Sequence, residues 1–199
     1  YGELLKLRVL WPIIPLAVVN YTPAAGIRGL WAGPYLTEVY AMSPAEVGRA
    51  TLWMALAMSA GAFAYGPLDR WFGTRKWVIL PGNVIAAAAC AGLGATAGAA
   101  SGLSVALMAA VGFFGATYTM VMAHARSMAP MRLVGRMVTL MNLFVMGGVG
   151  VAQALTGQVV EAGKAAGGPA EAYATLFLLY AAAMLAALAV YLFSRDAKP

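Results

Sequence analysis

Long apolar stretches are the feature that most constrains how this chain can fold. Six of them occur in the 199 residues, each near or above the ~20 residues that cross a bilayer as a helix. Only 10% of the residues are charged, whereas a soluble domain carries roughly 25%. The composition therefore indicates a membrane protein that crosses the bilayer several times. The stretches cover approximately residues 9–38, 50–68, 77–98, 101–124, 137–160 and 171–193.

The composition of these stretches favours helices over strands. They are rich in Ala, Leu and Met, and they lack the ~10-residue alternating pattern of membrane-spanning strands. We therefore predict an all-α membrane protein with six transmembrane helices in one domain, residues 1–199. Two successive triplets of helices are also what two three-helix inverted repeats would produce.

The first stretch is too long for one straight helix, and we expect it to be kinked or partly broken. Irregular backbone at membrane depth is tolerated where it is packed in protein or lines a wet cavity. An ordinary proline kink in a packed helix is the alternative explanation. Prolines occur in this stretch at Pro12, Pro15, Pro23 and Pro34.

The distribution of positive charge predicts the orientation in the membrane. If successive stretches alternate in direction, ten of the thirteen Lys and Arg residues lie on one side. The positive-inside rule then places both termini in the cytoplasm. We expect the membrane to be a plasma membrane, such as the bacterial inner membrane. The ten residues are Lys6, Arg8, Arg70, Arg75, Lys76, Arg126, Arg132, Arg136, Arg195 and Lys198.

Several other classes of function are not supported by the sequence. A single cysteine, Cys90, and a single histidine, His124, offer neither a disulfide nor a metal site, and nothing indicates a cofactor. No basic run reaches the density expected for binding nucleic acid. An intramembrane hydrolase would need a base beside its nucleophile, and Ser59, Ser101 and Ser104 have no plausible histidine partner. We therefore predict no catalytic residues and no enzymatic activity.

One motif follows the second stretch and consists of Gly66, Asp69, Arg70, Gly73 and Arg75. It resembles the signature loop of the major facilitator superfamily, which joins the second and third helices of each six-helix half. Asp69 is displaced by one position from the usual spacing. Its carboxylate could accept hydrogen bonds from helix-end amides or pair with an arginine.

Two further segments resemble the same superfamily. Residues 29–36 are similar to part of the first helix of a half, and residues 130–136 are similar to a cytoplasmic loop. Because the signature occurs once among six stretches, the resemblance implies one half of a twelve-helix secondary transporter. We expect the carboxy-terminal half, because residues 194–199 look like the end of a protein and residues 1–8 like the end of a central loop. Its partners would be membrane lipid, an amino-terminal six-helix half and a small-molecule substrate carried by alternating access. A non-transporting six-helix assembly or sensor subunit is the alternative.

Arg28 is the first candidate for a substrate-binding residue, because a charge inside a span usually faces a partner or a wet cavity. Its planar guanidinium would suit an anionic substrate. Pairing with Glu38, pairing with an acid of the missing half, and snorkelling toward the interface are the alternatives. The other substrate-binding candidates are Asn20, Tyr21, Tyr35, Tyr118, Asn142 and Gln153, each of which could instead bind a neighbouring helix.

Overall fold

The computed structural model describes residues 1–197, and this part of the chain contains helices and no strand. The predicted all-α fold is therefore confirmed. Short 3₁₀-helices occur at Arg8–Leu10 and Met131–Leu133, and a π-helix occurs at Ile27–Trp31. The α-helices are α1 (Gly2–Leu5), α2 (Ile14–Val19), α3 (Thr22–Gly26), α4 (Ala32–Tyr40), α5 (Pro44–Phe72), α6 (Lys76–Ala95), α7 (Ser101–Gly115), α8 (Tyr118–Ser127), α9 (Val134–Gly167) and α10 (Pro169–Tyr191).

Four helical segments within residues 1–197 are long and apolar enough to cross a membrane. They are Lys76–Ala95, Ser101–Ser127, Met131–Gly167 and Pro169–Tyr191, which coincide with the third to sixth predicted stretches. The second stretch lies within the 29-residue helix α5, which is long enough but less apolar. The full set of six transmembrane helices and the inverted repeat stay predictions.

The first stretch is divided into short helices, as its prolines predict. Pro15 and Pro23 lie in the first turns of α2 and α3. Proline has no N–H group to bond the carbonyl four residues earlier, so the helix is interrupted there. Thr22 compensates in part, because its Oγ1 donates to the Val18 carbonyl at 2.9 Å. Further along, the π-helix Ile27–Trp31 widens the chain before α4 begins.

The fourth stretch is also interrupted, which the sequence did not predict. We expected one helix over residues 101–124, but α7 ends at Gly115 and α8 begins at Tyr118. Thr117 Oγ1 donates to the Phe114 carbonyl at 2.8 Å. Such side-chain bonds to the backbone compete with regular helical hydrogen bonding, so the break forms without a proline.

Small residues bring the helices close together, as expected for a membrane bundle. Helix α6 packs against α7 and α10, α5 packs against α7, and α9 packs against α2 and α10. A Cβ atom added at Gly148 would collide with the Val18 backbone, and one added at Gly112 would lie 2.9 Å from the Met54 carbonyl oxygen. Gly147 and Gly150 face open space instead, so the packing role extends to only part of the glycine-rich segment.

The chain segments between the long helices gather at two ends of the bundle. One end, called the basic end here, contains residues 1–11, 73–75, 128–133 and the tail, residues 192–197. Contacts of Arg132 with Glu3 and of Asp196 with Thr74 join these segments. The opposite end contains residues 41–43 and 96–100 and the α9–α10 junction at Gly168. This arrangement agrees with alternating helix directions, while the orientation relative to the cytoplasm stays a prediction.

Candidate functional site

The breaks in the first and fourth stretches meet in a buried polar cluster, called the break junction here. It consists of Asn20, Asn83 and Thr117, each at most 1% exposed. Thr117 Oγ1 accepts hydrogen bonds from Asn20 Nδ2 at 2.9 Å and from Asn83 Nδ2 at 3.2 Å, and Asn20 Nδ2 also donates to Asn83 Oδ1. Side-chain amide and hydroxyl groups from three stretches thus stabilise the places where the two helices are interrupted.

Two tyrosines lie beside the break junction. Tyr21 follows Asn20 and Tyr118 follows Thr117 in the sequence, and their ring centroids are 4.6 Å apart at an interplanar angle of 44°. Both side chains are partly exposed. The structure therefore brings two of the predicted substrate-binding residues together, at the place where two broken helices meet.

Arg28 is exposed on the π-helix, seven residues after Tyr21. Two helical turns separate these positions, so the two residues lie on roughly the same side of the segment. Arg28 and Gly29 line a cavity of about 450 Å³, whose other wall is formed by the α5 residues Gly48, Thr51, Leu52 and Ala55. Single π-turns are frequent at functional sites.

The alternative pairing of Arg28 with Glu38 is wrong. Glu38 lies instead beside Lys164 of α9, with Nζ to Oε2 at 2.5 Å, and it accepts a hydrogen bond from Tyr173 at 3.1 Å. Within residues 1–197, Arg28 has no acidic partner. Its guanidinium is therefore available to a group from outside this part of the chain.

The remaining candidates have different surroundings. Tyr35 is wholly buried, and its hydroxyl is 2.9 Å from Ser104 Oγ and 3.3 Å from the Tyr40 hydroxyl. Asn142 is exposed and Gln153 partly exposed on α9, and their side chains form no hydrogen bond with another residue of the described range. Tyr35 and Asn20 are thus enclosed by helices, while Asn142 and Gln153 are accessible.

The signature motif is mostly helical, whereas the predicted stretches 50–68 and 77–98 left residues 69–76 between them as a loop. Gly66, Asp69 and Arg70 lie in the last turns of α5, so the loop is only residues 73–75. Gly73 ends α5 with a φ of +65°, a conformation that glycine adopts without steric cost. Asp69 Oδ2 contacts Arg75 Nε at 3.1 Å, with both side chains 12% exposed. The carboxylate of Asp69 therefore pairs with an arginine, which is one of the two kinds of partner that the sequence suggested.

The tail binds the beginning of α6, a contact that sequence reasoning missed. The Asp196 carboxylate accepts hydrogen bonds from Thr74 Oγ1 at 2.5 Å and from the backbone amides of Arg75 and Lys76 at 3.2 and 2.9 Å. Burial acts to raise the pKa of Asp196, but these hydrogen bonds outweigh it and hold the pKa below its usual value. The signal for this contact in the sequence was an acidic residue just after the last helix, because the amino termini of helices attract anions.

Lys76 and His124 complete this attachment, called the tail clamp here. Lys76 Nζ donates to the carbonyls of Leu192 and Ser194 at 2.6 and 2.8 Å. His124 is wholly buried, with Nε2 at 2.8 Å from the Arg195 carbonyl and Nδ1 at 2.6 Å from the Tyr191 hydroxyl. Because a carbonyl oxygen can only accept, Nε2 carries a proton. The histidine thus connects α8 to the tail.

Comparison with known protein families identifies a match. A sequence model described as Major Facilitator Superfamily matches residues 9–199, which is nearly the whole chain. The matched range includes the signature motif, both broken stretches and the break junction. Comparison with curated proteins gives no match.

Proposed function

Because the chain belongs to the Major Facilitator Superfamily, we propose that it forms one six-helix half of a secondary transporter that moves a small solute by alternating access. The family match over residues 9–199 is the observation that carries this proposal. In such transporters the substrate site lies near the bilayer midplane between two repeats, and rocking of one against the other exposes it to each side. This chain is the carboxy-terminal half and supplies one wall of the site.

The wall consists of Tyr21, Tyr118 and Arg28. Transporter sites are typically built where helices are discontinuous, and the first two residues lie at the two breaks that meet in the break junction. Their rings offer apolar contact and their hydroxyls offer hydrogen bonds. Arg28 adds a planar guanidinium that can bind two oxygens of a carboxylate or phosphate. The substrate class that fits this wall is a small organic anion with an apolar portion.

The other candidates take supporting roles in this proposal. Asn142 and Gln153 are accessible on α9 and contribute hydrogen bonds to the substrate or to the second half. Asn20 is 1% exposed, so a substrate does not reach its side chain, and its hydrogen bond to Thr117 holds the break in place. Tyr35 holds α4 against α7 through Ser104. These two act by positioning the wall rather than by touching the substrate.

Transport by the complete protein in proteoliposomes tests this function. Uptake of a panel of organic anions and cationic compounds is measured with and without a proton gradient, for wild type, Arg28→Ala, Arg28→Lys and Arg49→Ala. Arg49 is the matched control, an exposed arginine on α5 outside the cavity. Loss of a charge-assisted hydrogen bond costs about 1.5–3 kcal/mol, so we expect Arg28→Ala to reduce anion uptake by about tenfold or more. Lysine should restore part of the uptake, and Arg49→Ala should change it less than twofold.

The possible outcomes separate the parts of the proposal. Equal uptake by the Arg28→Ala and Arg49→Ala variants, with both folded and inserted, would remove Arg28 from the wall but leave transport intact. Absence of uptake of every compound by the wild-type protein would instead support a non-transporting assembly or sensor subunit.

A further inference from the structure

A cavity lined by positive charge opens at the basic end, away from the break junction. It has a volume of about 460 Å³ and lies between the amino-terminal segment and the tail. Lys6 and Arg8 line it from the first segment, while Arg195 and Phe193 line it from the second. Residues from the two ends of the sequence thus place three cations around one space.

The acidic side chains nearby are occupied elsewhere. Glu3 pairs with Arg132 at 2.7 Å, and Asp196 accepts its hydrogen bonds from Thr74 and the first amides of α6. Within residues 1–197, no acid pairs with Lys6, Arg8 or Arg195. Three like charges gathered without an acidic partner favour binding of an external anion.

Hydrogen bonds to backbone carbonyls and buried side chains fix the two segments that line the cavity. Trp11 Nε1 donates to the Leu5 carbonyl at 3.0 Å, and Leu4 and Leu10 are wholly buried. On the other side, His124 binds the Arg195 carbonyl at 2.8 Å. The three cations therefore extend from fixed segments, which reduces the entropy lost when a ligand is bound.

Exposed aromatic residues flank the cations. Phe193 is 83% exposed and Trp11 is 63% exposed. Phe193 ends the last apolar stretch, and Trp11 lies near the beginning of the first. Aromatic side chains at such positions are typical of the boundary between membrane and water. Basic pockets at the cytoplasmic boundary bind the headgroups of anionic lipids. We propose that this cavity binds the phosphate of an anionic phospholipid, with the lipid chains lying along Phe193.

Lipid binding to the complete protein in a neutral detergent tests this site. Retention of phosphatidylglycerol and of phosphatidylcholine is titrated by native mass spectrometry for wild type and for the triple variant Lys6→Gln/Arg8→Gln/Arg195→Gln. The control variant, Arg70→Gln/Arg126→Gln/Arg136→Gln, removes the same charge from exposed residues at the same end. A basic residue near an anionic lipid surface contributes about fivefold in affinity. We expect the cavity variant to bind phosphatidylglycerol at least tenfold more weakly and the control less than threefold more weakly.

Three results would overturn the proposal: equal loss in both triple variants, no loss in the cavity variant, or equal affinity of the wild type for phosphatidylcholine. Competition by millimolar inorganic phosphate as strong as that by the lipid would instead assign the site to a free anion. Circular dichroism checks folding of each variant. If the triple variant does not fold, the single variants Arg8→Gln and Arg195→Gln are each expected to weaken binding about fivefold. Binding is measured without transport, so this test is independent of the proposed substrate site.

Discussion

The two ends of the bundle are held together by different chemistry. At the basic end, ionised groups dominate: Asp69 pairs with Arg75, and Asp196 caps the beginning of α6. At the opposite end, hydroxyl groups dominate, because Ser104 Oγ lies 2.9 and 2.8 Å from the hydroxyls of Tyr35 and Tyr40. The ion pair of Glu38 and Lys164 supplements them there. Both sets connect different segments of the chain, and the first should respond more strongly to the removal of charge.

The cross-links at the two ends are also relevant to the proposed mechanism. Rocking of two halves requires each half to move as one body. In this chain, the tail clamp joins α6, α8 and α10 at one end. At the other end, Tyr40 joins α7 and the α6–α7 connection, since its hydroxyl also accepts the Gly98 amide at 3.0 Å. Each end therefore has cross-links between different stretches of the chain.

The largest expected effect is at Asp69. Replacing it by Asn leaves the guanidinium of Arg75, which is 12% exposed, without its carboxylate. Breaking a largely buried ion pair typically costs about 3 kcal/mol or more. We expect a clear fall in the midpoint of thermal unfolding in detergent. Glu3→Gln breaks a pair whose side chains are 69% and 61% exposed and should cost less than about 1 kcal/mol. Similar shifts for the two variants would show that burial does not govern the strength of ion pairs at this end.

A smaller effect is expected for Ser104→Ala at the opposite end. This change removes a buried hydroxyl and leaves the Tyr35 hydroxyl with only that of Tyr40, 3.3 Å away, while Tyr40 keeps the Gly98 amide. Loss of a buried hydrogen-bond partner costs roughly 1–3 kcal/mol. Unfolding measurements should show a decrease that does not depend on salt. Ser59→Ala is the control, because Ser59 is exposed and donates only to Ala55 of its own helix. If the Ser104 variant is as stable as the control, the hydroxyl cluster does not contribute to stability.

The smallest effect concerns the tail and depends on pH. The charged carboxylate of Asp196 is the form that accepts its hydrogen bonds, and its pKa is lower in the folded protein than its usual value near 3.8. The stabilisation is therefore complete above that usual value and is lost as the pH falls through the lowered pKa. In hydrogen exchange, the amides of Arg75 and Lys76 should be less protected in Asp196→Asn than in the wild type at neutral pH.

The opposite end supplies the internal control for that measurement, because Gly98 donates to a neutral tyrosine hydroxyl. Its amide should exchange equally in both proteins. Equal protection of Lys76 in the two proteins would mean that Asp196 does not hold the tail.

Some features of the fold and of the candidate site could be predicted from neighbouring residues. The break in the first stretch follows from Pro15 and Pro23, since a missing N–H group acts on the local helix wherever the segment lies. Tyr21, Tyr118 and Arg28 were identifiable as polar or amphipathic groups within apolar stretches. The break at Thr117 was not predicted, because its partners Asn20 and Asn83 lie 97 and 34 residues away in the sequence.

By itself, the sequence determined the helical membrane class, the interrupted first stretch and the concentration of positive charge between alternate stretches. These properties depend on composition and on residues close in the chain. The thickness of the bilayer sets the length of a spanning helix, and proline interrupts a helix wherever the segment lies. Only the tertiary structure decided that Asn20 meets Thr117, that Glu38 pairs with Lys164, and that Asp196 binds the start of α6. Each of these contacts depends on which helix faces cross in the packed bundle, and local sequence does not specify that choice.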